Sequence, residues 1–269
     1  MNDSDRDRTR VSGLLPMKRS PHVKARRSLL RRVGIASWVM VFFAAAGWWL
    51  LPWCVPLPES LTEAQPASPR FLAADGTPLR MLLNEAGEWV GEARTFDAIP
   101  RVMVDATLAA EDQRFFDHGG VDLIAIVRAS RDNAAAGRIV SGASTIHQQL
   151  VKISSPKRPR TLWTKVVEAL QARRLAMTLS KKVVLATYLN RIPYGNLFTG
   201  CSVACEGYFA KPLEDLTAAE AAFLAGLPQA PSRLNPFHNP GGSRARQRHI
   251  LDQMERLGML TSEQAGIAR

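Results

Sequence analysis

The sequence predicts a mainly α-helical domain with a short N-terminal β-hairpin, preceded by one transmembrane helix. Three observations predict it. No charged side chain occurs between Val33 and Pro58. The segment RFLAADGTPLRML (70–82) alternates about an Asp75-Gly76 turn. From Ile99 onward apolar residues recur at helical spacing, between caps and breaks.

Taken in order, the first 33 residues carry ten Lys/Arg against Asp3, Asp5 and Asp7, so a net +7 of the chain's +11 sits there. A nucleic-acid-binding core is therefore not implied. Residues 1–33 read as a disordered basic cytoplasmic tail and 34–55 as the anchor. As a helix, residues 33–58 reach about 39 Å, enough for a ~30 Å hydrocarbon core. Trp48, Trp49 and Trp53 gather at the far end, where indoles favour the interface, and the positive end stays cytoplasmic. A cleaved signal peptide is the alternative, since Ala44 and Ala46 make an A-x-A site. The apolar run passes that site and continues to Val55, longer than an ordinary signal core. The expectation is an uncleaved single-pass anchor in the inner membrane with everything beyond it periplasmic.

Residues 56–69 form a Pro-rich stalk, and 70–269 one domain. Helices are expected near 99–113, 121–136, 145–153, 161–179, 181–190, 200–209, 217–227 and 242–257. Ser144 or Thr145, Ser180 and Thr217 are candidate N-caps, the last with Glu220 completing a capping box. Cys201 and Cys205 lie one helical turn apart. Two packed thiols and an awkward disulfide both remain open, and zinc is disfavoured for want of further ligands.

Three stretches could carry chemistry. AAEDQRFFDHGG (109–120) puts Glu111 and Asp112 at a helix C-terminus, where acids oppose the macrodipole. A solvated helix end is the bland reading; a carboxylate shielded by Phe115 and Phe116, its pKa raised for acid–base work, is the functional one. SGASTIHQQLVK (141–152) offers small residues, Gly142 and Ala143, before a helix start at Ser144-Thr145. Free N–H groups there can hold an anion, and Gln148, Gln149 and Lys152 follow. Between Lys152 and Arg174, seven Lys/Arg stand against Glu168 alone. Lys165 and Glu168, at i and i+3, project together, either as a weak surface pair or as part of a site for a pyrophosphate-like anion.

EDQRFFDHGGVD, SGASTIHQQLVK, WTKVVEALQA with LSKKVVLATYLNRIPYG, and ARQRHIL occur in the order and spacing of the peptidoglycan glycosyltransferases (glycosyltransferase family 51). That module is found in class A penicillin-binding proteins, and this chain resembles it over roughly residues 70–257. DGTPLR…GEWV and YLNRIPYGNLFTG…LPQAPSRLNP look closest to the penicillin-binding protein 1C branch. The resemblance implies a lysozyme-like helical fold. It implies an enzyme that polymerises lipid II into β-1,4-linked glycan with inversion, releasing undecaprenyl diphosphate in bacterial cell-wall synthesis.

By motif position it implies Glu111 as general base and Glu168, with Lys165, as stabiliser of the leaving diphosphate. Asp112, Phe115, His118, Gly142, Ser144, Thr145, Gln148, Gln149 and Lys152 are implied as substrate contacts or scaffold, and Arg246 as structural. It allows a divalent cation (Mg or Mn) with Glu168 as its contact, and no organic cofactor. The partners implied are lipid II, the growing glycan strand, membrane lipid and other cell-wall synthesis proteins. Three positions depart from the family's pattern: His147 for the usual Thr, Thr164 before Lys165 for Arg, and Ala176 for an acid. No Ser-x-Asn or Lys-Thr-Gly triplet occurs, so no transpeptidase activity is expected. A lysozyme-like hydrolase and an inactive scaffold are the rival readings.

Overall fold

The structure is a computed structural model that describes residues 21–61, 63, 65–138 and 142–269. It divides into two compact units, Met1–Leu50 and Leu51–Arg269. In the first, helix α1 spans Pro21–Leu50. Residues 21–33, expected to be disordered, are helical instead. Lys, Arg and Leu are good helix formers, and Pro21 at the start gives up only an N–H that would lack a partner anyway. Residues 1–20 of the expected tail lie outside the described residues. Gly34–Cys54 is the one stretch, among the described residues, long and apolar enough to cross a membrane. Its 21 residues reach about 31 Å as a helix.

The second unit opens with the expected hairpin. Strands β1 (Arg70–Leu72) and β2 (Pro78–Met81) pair antiparallel, with Arg70 opposite Met81 and Phe71 opposite Arg80. Gly76, at φ +85°, takes the left-handed turn position, and Asp75 Oδ1 accepts the Thr77 N–H at 2.9 Å. A second pair was not foreseen. Strand β3 (Trp89–Val90) runs parallel to β4 (Phe198–Thr199), and two-residue strands are too short to show an alternation.

The helices are α2 (Arg101–Glu111), α3 (Leu123–Ala136), α4 (Ile146–Ile153), α5 (Leu162–Thr178), α6 (Lys181–Arg191), α7 (Cys201–Phe209), α8 (Ala218–Gly226), α9 (Pro240–Arg256) and α10 (Ser262–Ala268). The eight expected from the sequence are present; α10, started by a Thr261/Gln264 capping box, is additional. Thr145, Ser180 and Thr217 cap α4, α6 and α8 as expected, and Thr145 forms its box with Gln148. These caps each stabilise a helix by about 1 kcal/mol.

Helix α2 is the axis of the core. Met103 through Ala109 are all buried, with α8 and α9 packed on one side. Within that run Asp105 is held by Arg101 Nε at 2.8 Å. A buried side chain such as Met103 contributes about 2 kcal/mol. A helix enclosed along its length cannot shift easily, so its last residue, Glu111, is delivered to a fixed point. Around the other side, α4 packs against α5 and α6, burying Ile146, Leu150, Leu175, Leu185 and Leu189.

Cys201 and Cys205 are buried free thiols, so the disulfide left open by the sequence is not formed. Cys205 Sγ donates instead to Pro212 O. Burial pushes the two thiols up to about 12 and about 11, which leaves them protonated and unreactive.

Gly120 (φ +95°) lies where the chain passes α5 so closely that an added Cβ would stand 2.4 Å from Ala172 O. Gly120→Ala therefore combines backbone strain with a clash against main chain. It should destabilise the domain by roughly 2 kcal/mol or more, read as a fall in Tm of several degrees in a thermal melt.

Candidate active site

The site is assembled where α2 ends and α4 begins. Helix α2 stops at Glu111 because Asp112 leaves helical geometry (φ −158°, ψ 77°). The two neighbouring carboxylates then diverge. Asp112 turns inward: its Oδ2 accepts the Ile146 N–H at 3.0 Å, and its carboxylate accepts from His118 Nε2 at 3.0 Å. It thus serves the first N–H of α4, which no helical carbonyl can reach.

Glu111 faces the other way. Its Oε2 accepts from Gln149 Nε2 at 2.7 Å, while Oε1 is buried without a hydrogen-bond partner. Burial raises the pKa of this carboxyl; the Gln149 hydrogen bond and the Arg246 charge oppose the rise, and the Asp112 charge adds to it. Gln149 is in turn held by Tyr188, whose hydroxyl donates to Gln149 Oε1 at 3.0 Å. Arg246 reaches the end of α2 from α9, its Nη2 donating to Ala110 O at 3.4 Å. Gly226 leaves it room, since a Cβ there would meet Arg246 Cγ at 2.9 Å.

Beneath the two acids lies a buried aromatic and basic cluster. Phe115 is fully buried and stacks on His147, ring centroids 5.0 Å apart. Lys181 Nζ sits 4.7 Å over the Phe115 ring and donates to the carbonyls of Phe115 and His118. Neither ring nitrogen of His147 has a partner. Burial first, then the Lys181 and His118 charges, push its pKa down to about 3, so His147 packs as a neutral aromatic.

Two cavities open from this junction. The smaller, about 140 Å³, is lined by Glu111, Asp112, Arg114, Gly142, Ser144 and Thr145, with Ala125 and Arg128 of α3 on its far wall. An added Cβ at Gly142 would meet nothing within 4 Å. The larger, about 740 Å³, is walled by Lys152, Lys157, Arg158, Arg160, Lys165 and Glu168, with the hydroxyls of Ser144, Thr161 and Thr164. Ser144 lines both, so the cavities adjoin at the start of α4. Lys165 is exposed and Glu168 half-buried, and no ion pair between them occurs among the described residues.

The twelve site residues expected from the sequence thus fall into groups. Glu111, Ser144 and Gly142 meet at the small cavity, with Asp112 and Thr145 in its wall, and Gln149 joins them through its hydrogen bond to Glu111. Lys152, Lys165 and Glu168 meet at the large one. Phe115 and His118 are turned into the protein, and Gln148 folds back so that Oε1 accepts the Thr145 N–H at 3.0 Å. Tyr188 and Lys181 escaped the sequence reading, because their partners lie far off in the chain and neither residue breaks a helical pattern. Among the described residues no group of three or more His, Cys, Asp or Glu is placed to hold a metal ion.

A family model described as Transglycosylase matches residues 76–255. Penicillin-binding protein 1A of Neisseria flavescens is 41% identical over 211 residues, 78% of this chain and 26% of that one. Penicillin-binding protein 1A of Aquifex aeolicus is 43% identical over 170 residues, 63% of this chain and 23% of that one. The chain thus spans about a quarter of the length of these relatives. They carry the 1A name, so the narrower likeness to the 1C branch finds no support in them. The crystal structure of penicillin-binding protein 1A from Haemophilus influenzae is 21% identical, with a TM-score of 0.41 over 77% of this chain and 21% of that one.

Asp112→Ala should strip the acceptor from two buried donors, His118 Nε2 and the Ile146 N–H. Each such loss costs about 1–3 kcal/mol. The expected result in a thermal melt is a Tm lowered by several degrees, larger than for a surface Asp→Ala control such as Asp132→Ala.

Proposed function

We propose, on the premise that this chain belongs to the transglycosylase family of peptidoglycan glycosyltransferases, that it polymerises lipid II into β-1,4-linked glycan. The observation that carries the proposal is the shared wall at Ser144. A desolvated carboxylate stands on one side of it and a cleft lined with four or more cations on the other.

That arrangement suits one displacement. Glu111 takes the proton of the acceptor's 4-hydroxyl, and the freed oxygen pair bonds to C1 of the donor sugar. The C1–O bond to the diphosphate breaks, and its electrons leave with undecaprenyl diphosphate, inverting an α-linked donor to a β-linked product. Lys152, Arg158, Arg160 and Lys165 face the charge that develops on the leaving group, where fixed opposite charge is worth most. A hydrolase acting on finished glycan would have no diphosphate for these cations to hold. Glu168 is the one carboxylate lining the cleft. It would hold a divalent cation, Mg or Mn, jointly with the donor's phosphate oxygens, the mode in which Mg²⁺ usually binds.

The substrate's lipid tail demands a membrane surface. The Gly34–Cys54 segment supports anchoring, and the basic residues before it support a cytoplasmic N-terminus and a periplasmic domain. Leu123, Ile124 and Val127 on α3, with Leu162 and Trp163 at the start of α5, are exposed. The same two helices wall the cavities, which supports a reading in which these exposed side chains rest among lipids.

Purified full chain in detergent, given lipid II, should form lysozyme-sensitive glycan, and Glu111→Gln should lower the rate at least 10²-fold. Because the base must be ionised and burial raises its pKa, activity should fall with decreasing pH above the ordinary glutamate range. Robust polymerisation by Glu111→Gln would remove that residue from its role, and none by the wild type would favour an inactive scaffold.

A further inference from the structure

The proposed reaction leaves open which oxygen of Glu111 is the base and what selects it. A carboxylate can only accept hydrogen bonds, so the amide that touches Glu111 must present its NH₂ group. The amide oxygen of Gln149 is then turned away from Glu111 and requires a donor of its own. That donor is the Tyr188 hydroxyl, 3.0 Å from Gln149 Oε1, while Gln149 Nε2 stands 2.7 Å from Glu111 Oε2. Tyr188 is 1% exposed and flanked on α6 by the buried Leu185 and Leu189, so its hydroxyl is fixed by core packing. Glu111 Oε1 is the oxygen left buried and unpartnered, and Glu111 is one of the residues lining the small cavity.

We propose that Tyr188 is a positioning residue. Through Gln149 it occupies Oε2 of Glu111 and so assigns the acceptor's proton to Oε1. The inference rests on the function proposed above. Glu111 also faces Arg246 from α9 and its neighbour Asp112, with Tyr194 farther off in the core. Of these, Arg246 supports the ionised form, Asp112 opposes it, and none fixes the amide. Burial, with the Glu111 and Asp112 charges, holds the Tyr188 phenol far above its ordinary pKa, so it remains a hydrogen-bond donor throughout the working range. Without that hydroxyl the Gln149 amide loses its second tether and its bond to the ionised carboxylate weakens. Burial is then less opposed, and Glu111 takes up its proton at a higher pH.

The test uses full-length protein in detergent with lipid II, comparing wild type, Glu111→Gln, Tyr188→Phe, Gln149→Ala and the Tyr188→Phe/Gln149→Ala double variant. Tyr188→Phe keeps the ring and removes only the hydroxyl. Its kcat should fall about tenfold with KM unchanged, less than the roughly 10²–10⁴-fold that loss of the general base itself costs. The acid limb of its kcat profile should move to higher pH. In the Gln149→Ala background the same change should have no further effect, since the relay is already broken. If Tyr188→Phe keeps wild-type kcat and limb while Glu111→Gln is inactive, the inference fails and the function stands. A fall in kcat that tracks a lower Tm with the limb in place would assign Tyr188 to packing and overturn it equally. An inactive wild type would overturn the function and the inference together.

Discussion

The carboxylate of Asp112 is the joint on which the site depends. By accepting the first N–H of α4 and the His118 Nε2–H, it ties the end of the buried helix α2 to the start of α4, where Ser144 lines both cavities. If the two ends moved apart, a buried charge and two buried donors would be left unpaired, which is costly. The remaining geometry follows from that constraint. Gln149, one turn into α4, comes within reach of Glu111. Thr145 Oγ1 donates to Gly120 O at 2.6 Å, and Gly120 abuts Ala172 on α5. Arg173 Nη1 donates to Gly119 O at 3.0 Å. The helix that carries Lys165 and Glu168 is therefore fastened to the same joint as the base.

The two cavities differ in charge, the small one lined by three carboxylates and two guanidiniums and the large one by five cations and one carboxylate. At the small cavity the Glu111 carboxyl is withdrawn from water, which makes it a stronger base; one hydrogen bond and one guanidinium keep the ionised form accessible. At the large cavity the charged groups stay near solvent. The cations there are not consumed by an ion pair to Glu168 and remain available to an anion. The buried cluster between Phe115, His147 and Lys181 adds no second base near Glu111. His147, where the family usually has Thr, is held neutral, and Lys181 spends its hydrogen bonds on backbone carbonyls.

Much of this was legible in the sequence wherever the cause is local. Thr145, Ser180 and Thr217 declare their helices because a cap acts within three residues, and Asp75-Gly76 declares its hairpin for the same reason. Asp122, which caps α3 through the N–H groups of Ile124 and Ala125, carried an equally local signal before an apolar run. The β3–β4 pair joins segments more than a hundred residues apart through two residues each, leaving no periodicity to read. The site divides in the same way. The Ser-Thr/Gln-Gln helix start and the Lys165/Glu168 spacing marked the two walls. That Asp112 turns inward while Glu111 stays at the cavity could not be read from an adjacent pair of acids, because the backbone turn at residue 112 decides it. Tyr188 looked like one more apolar position of α6, and only the fold places its hydroxyl against an amide of α4.

Burial makes the Glu111 carboxyl a stronger base in the folded protein than an exposed glutamate. A direct test is carboxyl ¹³C NMR on protein labelled at glutamate, with the Glu111 resonance assigned by its absence in Glu111→Gln. That resonance should titrate with a midpoint above the ordinary glutamate value. A midpoint at or below that value would contradict this effect of burial.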